Sequence, residues 1–258
     1  MNINTSTRPS PTNPSQPLAQ EFSITAPSQF RAGLLRVKAR RERREQFNNV
    51  LDEVFALPAY QAWAKEPLLF WAPLLALHMG ICASEVPRIA VDDVVEQDGV
   101  TCIIFLREPI AHAEPTPVRR RAHPVKRWEI PVPQALLDIG FLDHLAAMRA
   151  KGEKELFCRL GKKPTEQAGA WITARFRQHL RSVGVETGGF PELRYVYWNR
   201  LGDTGASRDR LTELLRKEDR YDQMFKQIYP RSYRRDQLKI LMDKSSAGTF
   251  ELSGLARR

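Results

Sequence analysis

The sequence lacks the long apolar runs that mark membrane-spanning and secreted chains. None of its 258 residues fall in an apolar run of the ~18 residues that a membrane helix needs. The nearest, from Leu68 to Ala83, contains Pro73 and His78 and predicts a buried helix. The first residues have no apolar signal core, which disfavours secretion. We therefore expect no membrane partner and a cytoplasmic location.

Cysteine and histidine are also scarce. The three cysteines, Cys82, Cys102 and Cys158, stand far apart, and the five histidines show no ligand spacing. An odd, scattered set of thiols is typical of a reducing compartment. The sequence thus predicts no disulfide framework, no metal site and no cofactor.

What the sequence has in excess is positive charge. Forty Lys and Arg residues stand against thirty Asp and Glu residues, so the formal net charge is +10, and the pI is near 9.8. Such an excess favours a polyanionic partner, most often nucleic acid. The chain is 42% hydrophobic, which excludes a fully disordered protein.

The N-terminal part changes character after about residue 30. Residues 1–30 are rich in Ser, Thr, Pro, Asn and Gln and predict a disordered tail, so the domain would span residues 31–258. The domain then begins with a helix that is basic at first and amphipathic from Phe47 to Phe55. Its basic half is either a solvated helix surface or a phosphate-facing arm, for which the candidate residues are Arg36, Lys38, Arg40 and Arg41.

The remaining pattern is mainly helical with one small sheet. Asp98-Gly99 lies between two β-branched runs, Ile89 to Val95 and Thr101 to Leu106, which predict paired strands. Asp-Gly at this place is a strong hairpin signal, and residues 128–132 predict a third strand. Between them, residues 107–125 form a proline-rich loop that carries Arg119, Arg120 and Arg121. We expect a mainly α-helical α+β domain with a three-stranded antiparallel sheet. The predicted helices lie at about 66–79, 134–150, 165–183, 191–202, 207–217, 220–229 and 231–243.

An ordered series of partial motifs runs through this pattern. A buried helix leads into Gly80-Ile81-Cys82-Ala83-Ser84-Glu85, and the hairpin follows. Further on come Leu193-Arg194-Tyr195 and then Tyr229-Pro230-Arg231-Ser232-Tyr233. This order resembles the catalytic domain of the tyrosine recombinases, in particular phage-type integrases, over most of the chain.

The resemblance implies transesterification at a DNA phosphodiester. In that family a tyrosine hydroxyl attacks phosphorus, and two arginines clamp the nonbridging oxygens with planar, permanently charged donors. A lysine on the sheet and histidines assist proton transfer, and no metal takes part. Carried over by position, Tyr229 is the nucleophile, Arg194 is the second arginine, and Lys126 is the nearest candidate for the lysine. The DNA-contacting candidates beside the sheet are Arg119, Arg120, Arg121 and Arg127.

The chain departs from the family pattern at several of these positions. Cys82 stands where the first arginine is expected. A thiol supplies neither the positive charge nor the paired N–H donors of a guanidinium. Pro191 and Tyr195 replace histidines, and Asp219 and Arg220 stand where another histidine or tryptophan is usual. Either Arg220 or Arg88 is the candidate to replace the missing cation. We therefore expect impaired strand cleavage.

Simpler interpretations stand beside this one. Tyr229 also fits an aromatic side chain that packs at the end of a helix, and Arg194 also fits an ordinary surface arginine. The run from Arg119 to Arg121 also fits a loop whose charges only keep it in water. The leading hypothesis is an integrase-like, nucleoid-associated protein of a mobile element that binds duplex DNA, with other recombinase subunits as possible partners. The family's upstream clamp domain would then be truncated or supplied by a partner. The alternatives are a non-enzymatic DNA-binding accessory protein that modulates an intact recombinase, and a helical scaffold without a nucleic-acid role.

Overall fold

The computed structural model describes residues 42, 45–107, 126–157, 165–207 and 234–246, all of which belong to one compact unit, Arg40–Arg258. The predicted tail over 1–30 and the helices predicted over 207–217 and 220–229 lie outside the described ranges, apart from residue 207. Lys126 and Arg127 are described through their backbone only. The other predicted site residues outside these ranges are Arg36, Lys38, Arg40, Arg41, Arg119, Arg120, Arg121, Arg220 and Tyr229.

The described elements confirm a mainly helical α+β domain with a small antiparallel sheet. Residues 45–49 are helical and lead through a turn at Val50 into the first labelled helix. In chain order, the labelled elements are α1 (Leu51–Val54), α2 (Leu57–Trp63), α3 (Pro67–Met79), β1 (Val94–Gln97), β2 (Val100–Arg107), β3 (Lys126–Pro131), α4 (Gln134–Asp138), α5 (Phe141–Ala150), α6 (Thr165–Ser182), α7 (Phe190–Asp203) and α8 (Arg235–Ser246).

Helix α3 forms the centre of the core, as its apolar sequence predicts. Every side chain from Leu68 to Met79 is buried. A helix without a polar face has to be enclosed on all sides, and α6, α7 and α8 pack against it. Proline at its first position fits a site where no N–H is needed, and Gly80 ends it in the left-handed conformation with φ 65°.

The sheet confirms the hairpin prediction. Its strands follow the order β1-β2-β3, and β1 pairs antiparallel with β2, with Gln97 opposite Val100. Asp98 and Gly99 both have positive φ, 54° and 73°, which is the turn conformation that matches the twist of paired strands. Strand β3 pairs antiparallel with β2 on its other side.

Three local predictions differ from the structure. The helix expected over 134–150 is divided into α4 and α5, because Gly140 takes φ 93°, a conformation outside the helical region. The strand expected from Ile89 begins at Val94, after a single 3-10 turn at Val91–Asp93. Helix α2 was not predicted.

An arginine at the start of α8 fixes this helix to the sheet. The Arg235 Nε donates to Glu129 Oε2 at 2.6 Å, and its Nη1 donates to Asp98 Oδ2 at 2.8 Å. Glu129 belongs to β3 and Asp98 to the hairpin turn between β1 and β2, so one guanidinium joins both of these parts of the sheet to the last described helix. Charged hydrogen bonds of this kind also raise the pKa of Arg235, chiefly through Glu129.

We expect Arg235→Gln to lower the melting temperature modestly, because these ion pairs are partly exposed and screened by salt. The difference from wild type should shrink between low and high salt when thermal unfolding is followed by circular dichroism. Lys244→Gln, an exposed change on the same helix, is the matched control. Equal shifts for the two variants would contradict a specific role for Arg235.

Candidate phosphate-contacting site

The retained arginine of the motif series lies at the end of the central helix. Arg194 is half-buried on α7, and its Nε donates to the carbonyl oxygen of Gly80 at 2.7 Å. The terminal nitrogens of Arg194 make no hydrogen bond to any residue that the structure describes. One nitrogen therefore positions the guanidinium against the end of α3.

Close contact between α7 and α3 explains why this carbonyl is within reach. A Cβ on Gly80 would lie 2.7 Å from Cδ1 of Tyr197, a side chain that is fully buried. Real Cβ contacts are longer than this. Glycine at position 80 thus serves both the left-handed helix end and the approach of Tyr197, and the carbonyl that holds Arg194 follows from that approach.

The segment after Gly80 forms a tight reciprocal turn. The Cys82 N–H donates to Glu85 Oε2 at 2.7 Å, and the Glu85 N–H donates to the Cys82 carbonyl at 2.9 Å. This pair of bonds gives Glu85 a structural role, which the sequence alone did not reveal. It also places the half-buried Cys82 two residues beyond the carbonyl that binds Arg194.

The structure thus brings together two segments that the motif series pairs. The position expected to carry the first arginine, now Cys82, and the second arginine, Arg194, belong to adjoining segments joined through Gly80. Cys82 offers a thiol in place of a guanidinium, so Arg194 is the guanidinium that the described residues place at Gly80. Arg88, a candidate replacement, is exposed at the end of the short 3-10 helix Val86–Arg88.

Helix α7 also carries exposed aromatic side chains beside Arg194. Tyr195 and Trp198 each expose 37% of their surface, and Pro191 is exposed one turn earlier. Their spacing of three and four residues places them along one face of the helix. The sequence interpretation identified Pro191 and Tyr195 as replaced histidines but missed Trp198, whose helical spacing from Tyr195 was the available signal.

The other predicted site residues are located in part. Lys126 begins β3 opposite Arg107, and Arg127 stands opposite Leu106. Lys126 thus lies on the sheet, and its role as the family's lysine stays a prediction. Tyr229 lies outside the described residues, so its distance from Arg194 stays untested.

A buried histidine lies near the same end of α3. His78 Nδ1 is 3.1 Å from the Ser246 hydroxyl on α8. Burial, with a smaller contribution from the Arg200 charge, lowers the pKa of His78 to about 3. His78 is therefore neutral at physiological pH and does not supply the missing cation.

Two classes of site receive no support within the described ranges. Among these residues no three His, Cys, Asp or Glu side chains are grouped to hold a metal ion. None of the helices described has the length and apolar character that crossing a bilayer requires. Burial also raises the pKa of the Cys102 thiol to about 11, so this cysteine is a poor nucleophile.

Comparison with known proteins yields no relative for this chain. No family model matches it, and no curated protein or solved structure matches it either. The resemblance to tyrosine recombinases therefore stays a prediction from the motif series.

Proposed function

We propose that this protein binds duplex DNA through an integrase-like domain whose strand-cleavage chemistry is impaired. The observation that carries the proposal is the hydrogen bond between Arg194 and Gly80. This hydrogen bond fixes Arg194 beside the segment in which the motif series expects the other arginine, at position 82. The proposal includes duplex DNA and other recombinase subunits as the partners of this protein. It also includes a location at the nucleoid.

The chemistry of the site favours binding over cleavage. Cleavage at a phosphodiester builds negative charge on the nonbridging oxygens, and fixed cations have to stabilise it. Arg194 offers its two terminal nitrogens, whereas Cys82 offers no charge and Pro191 no side-chain donor. Loss of one such donor slows comparable reactions by about 10² to 10³. Losses at several positions of one site do not multiply simply.

The distribution of charged and aromatic residues supports contact with a phosphate backbone. Lys and Arg displace condensed counterions from DNA, and the net charge of +10 provides the necessary excess. Exposed Tyr195 and Trp198 beside Arg194 add flat surfaces of the kind that pack against the sugars of a DNA backbone. Backbone contact of this type gives affinity without sequence readout.

Neutralising the three consecutive arginines at 119–121 should reduce the salt dependence of DNA binding. The triple change of Arg119, Arg120 and Arg121 to Gln should make the slope of log K against log salt shallower by about three, because each phosphate contact contributes about one. Fluorescence anisotropy with a labelled duplex over a salt series measures this slope.

A triple Lys→Gln variant with the same change in net charge is the control. Lys151, Lys154 and Lys244 are exposed at other places in the fold, and their neutralisation should change the slope by less than about one unit. Equal effects of the two triple variants would show that net charge alone acts. No binding to any duplex would leave the helical scaffold as the better hypothesis.

A nicked suicide substrate tests the catalytic part of the proposal. The wild-type protein should form little or no covalent adduct, at least about 10² below an intact recombinase. An abundant adduct that disappears in Tyr229→Phe would overturn the impaired chemistry and establish an active enzyme.

The second candidate function is that of a non-enzymatic accessory protein, and the thiol at position 82 favours it. That function predicts DNA binding that survives both Tyr229→Phe and Arg194→Ala. Addition of the protein to an intact recombinase reaction should then change its rate without supplying a nucleophile.

A further inference from the structure

Helix α6 carries three exposed arginines in a stretch of sequence that has no acidic residue. Arg175, Arg177 and Arg181 are all exposed, and residues 167–185 contain neither Asp nor Glu. We call these three side chains the arginine face of α6. Within the helix itself, no carboxylate compensates their charge.

Buried contacts on its other side hold α6 in place over most of its length. The core side chains of the helix are Ile172, Phe176 and Leu180. Near one end, His179 Nε2 donates to the Val54 carbonyl oxygen at 2.7 Å, since a carbonyl oxygen only accepts. Near the other end, a Cβ on Gly169 would lie 2.8 Å from Cα of Ser84, so the two backbones are in close contact. The arginine face therefore stands on a fixed helix.

The guanidinium of Arg175 is oriented by its neighbours on α6. It lies 6.0 Å from the centre of the Trp171 ring, within reach of a cation–π contact, and its Nη1 donates to Gln178 Oε1 at 3.0 Å. Burial raises the pKa of Glu66, and the charge of Arg175 opposes this shift, so Arg175 is partly compensated by a neighbouring helix. Exposed Lys65 lines the same cleft as Arg175 and adds a cation beside it.

Arg177 and Arg181 stand one helical turn apart on the exposed side of α6. Like charges four residues apart on a helix repel each other and destabilise it slightly. A polyanion that lies across both guanidinium groups removes this repulsion and gains charged hydrogen bonds from them. The pair is thus the part of the arginine face from which an anionic partner gains most.

The backbone of duplex DNA is the polyanion that matches this face best. Arg175 and Arg181 are six residues apart, which corresponds to about 9 Å along the helix. Duplex DNA carries one charge per about 1.7 Å of its axis, so a row of cations of this length meets several phosphates in any register. An acidic protein would instead need carboxylates at matching positions.

We propose that the arginine face of α6, together with Lys65, is a second surface that contacts the phosphate backbone of duplex DNA. The inference rests on the proposed function and adds a contact surface away from Arg194. Arg181 follows Gly169 by twelve residues, so it lies about 18 Å along α6 from the contact with Ser84. DNA contact would thus extend well beyond the segment after Gly80.

Removing the paired arginines tests this surface. The double variant Arg177→Gln/Arg181→Gln should bind a labelled duplex about ten-fold more weakly at low salt. Its slope of log K against log salt should be shallower by about two. Lys151→Gln/Lys154→Gln makes the same change in net charge at exposed positions elsewhere and should change the slope by less than about one. Fluorescence anisotropy measures both slopes, and far-UV circular dichroism checks that both variants are folded.

A second pair of variants adds a charge and removes no donor. Ala174 is exposed on α6 and Ala147 is exposed on α5, so Ala174→Glu and Ala147→Glu make the same change in net charge on two helices. The new carboxylate on α6 should repel the phosphates and weaken duplex binding by about three-fold or more. Ala147→Glu should leave the affinity within about two-fold of wild type.

The outcomes separate this inference from the proposed function. Equal effects of the α6 variants and their controls would overturn the inference. Poly-L-glutamate that competes with the labelled duplex as well as unlabelled duplex does, at equal charge concentration, would also overturn it and assign the face to acidic proteins. If the wild-type protein binds no duplex, the proposed function fails as well. If it binds duplex and only the change at 119–121 lowers the slope, the inference about α6 alone fails.

Discussion

Gly80→Ala should reduce the free energy of unfolding by about 2–5 kcal/mol. Two physical terms add at this position. An alanine at φ 65° pays about 1–2 kcal/mol for the left-handed conformation. Its Cβ would also meet the Tyr197 ring at 2.7 and 2.9 Å, and overpacking of a core typically costs about 1–3 kcal/mol. Tyr197 is fully buried, so its ring cannot move aside cheaply.

Urea unfolding followed by circular dichroism measures this loss, and Gly205→Ala is the matched control. Gly205 has a similar φ of 73° but nothing within 4 Å of the added Cβ, so it isolates the conformational term. Gly205→Ala should cost only about 1–2 kcal/mol. Equal losses for the two variants would show that the contact between α7 and α3 is looser than 2.7 Å implies.

Gly80→Ala also tests whether the backbone of Gly80 positions Arg194. The Gly80 carbonyl accepts the hydrogen bond that positions Arg194, and displacement of α7 by the added methyl would lengthen it. The stability of α3 and the position of the phosphate-contacting arginine therefore depend on the same few atoms. We expect Gly80→Ala to weaken DNA binding more than Gly205→Ala at equal fractions of folded protein.

Elements with strong local signals could be predicted from the sequence. The apolar run of α3 can be accommodated only inside a core, and Asp98-Gly99 has the backbone preferences of a two-residue hairpin turn. The division at Gly140 could not be predicted in the same way. A glycine within a helical pattern is usually tolerated at a cost of about 1 kcal/mol, and its actual φ of 93° depends on tertiary packing.

The residues of the candidate site could be predicted from the sequence, whereas the contacts between them could not. Arg194 came from the motif series, but its bond to Gly80 depends on how α7 crosses α3, which no local pattern encodes. Glu85 was a retained motif residue, and its bond to the Cys82 N–H appears only in three dimensions.

Acidification should unfold the protein through His78. The pKa of His78 in the folded state is about 3, whereas a histidine side chain in water has a pKa of 6.5. A depressed folded-state pKa means that the unfolded chain binds the proton first. The contribution of His78 to stability is thus fully present above pH 6.5 and is lost as the pH falls toward about 3.

The expected size of this effect is large for a single residue. One proton taken up on unfolding changes stability by about 1.4 kcal/mol per pH unit. Between the unfolded value of 6.5 and the folded value of about 3, the loss approaches ~5 kcal/mol. Burial also lowers the pKa of His179, which adds to the loss in the same direction.

His78→Asn separates this histidine from the other titrating groups. Asparagine retains a polar atom near the position of Nδ1, which faces the Ser246 hydroxyl, but it does not titrate. The variant should be less stable than wild type at pH 7 and lose stability less steeply between pH 6.5 and 4. Parallel curves of unfolding free energy against pH would contradict the role of His78.

The elements around His78 indicate which part of the fold opens first. The histidine on α3 faces Ser246 of α8 and lies within the electrostatic influence of Arg200 on α7. A proton forced onto it places two positive charges in the core where these three helices meet. Besides its buried apolar side chains, α8 is held by the partly exposed ion pairs of Arg235. Because salt and solvent weaken these pairs, we expect α8 to detach at a higher pH than the one at which α3 unfolds. Amide hydrogen exchange at pH 4 should then protect Leu74 and Leu75 longer than Leu238 and Leu241.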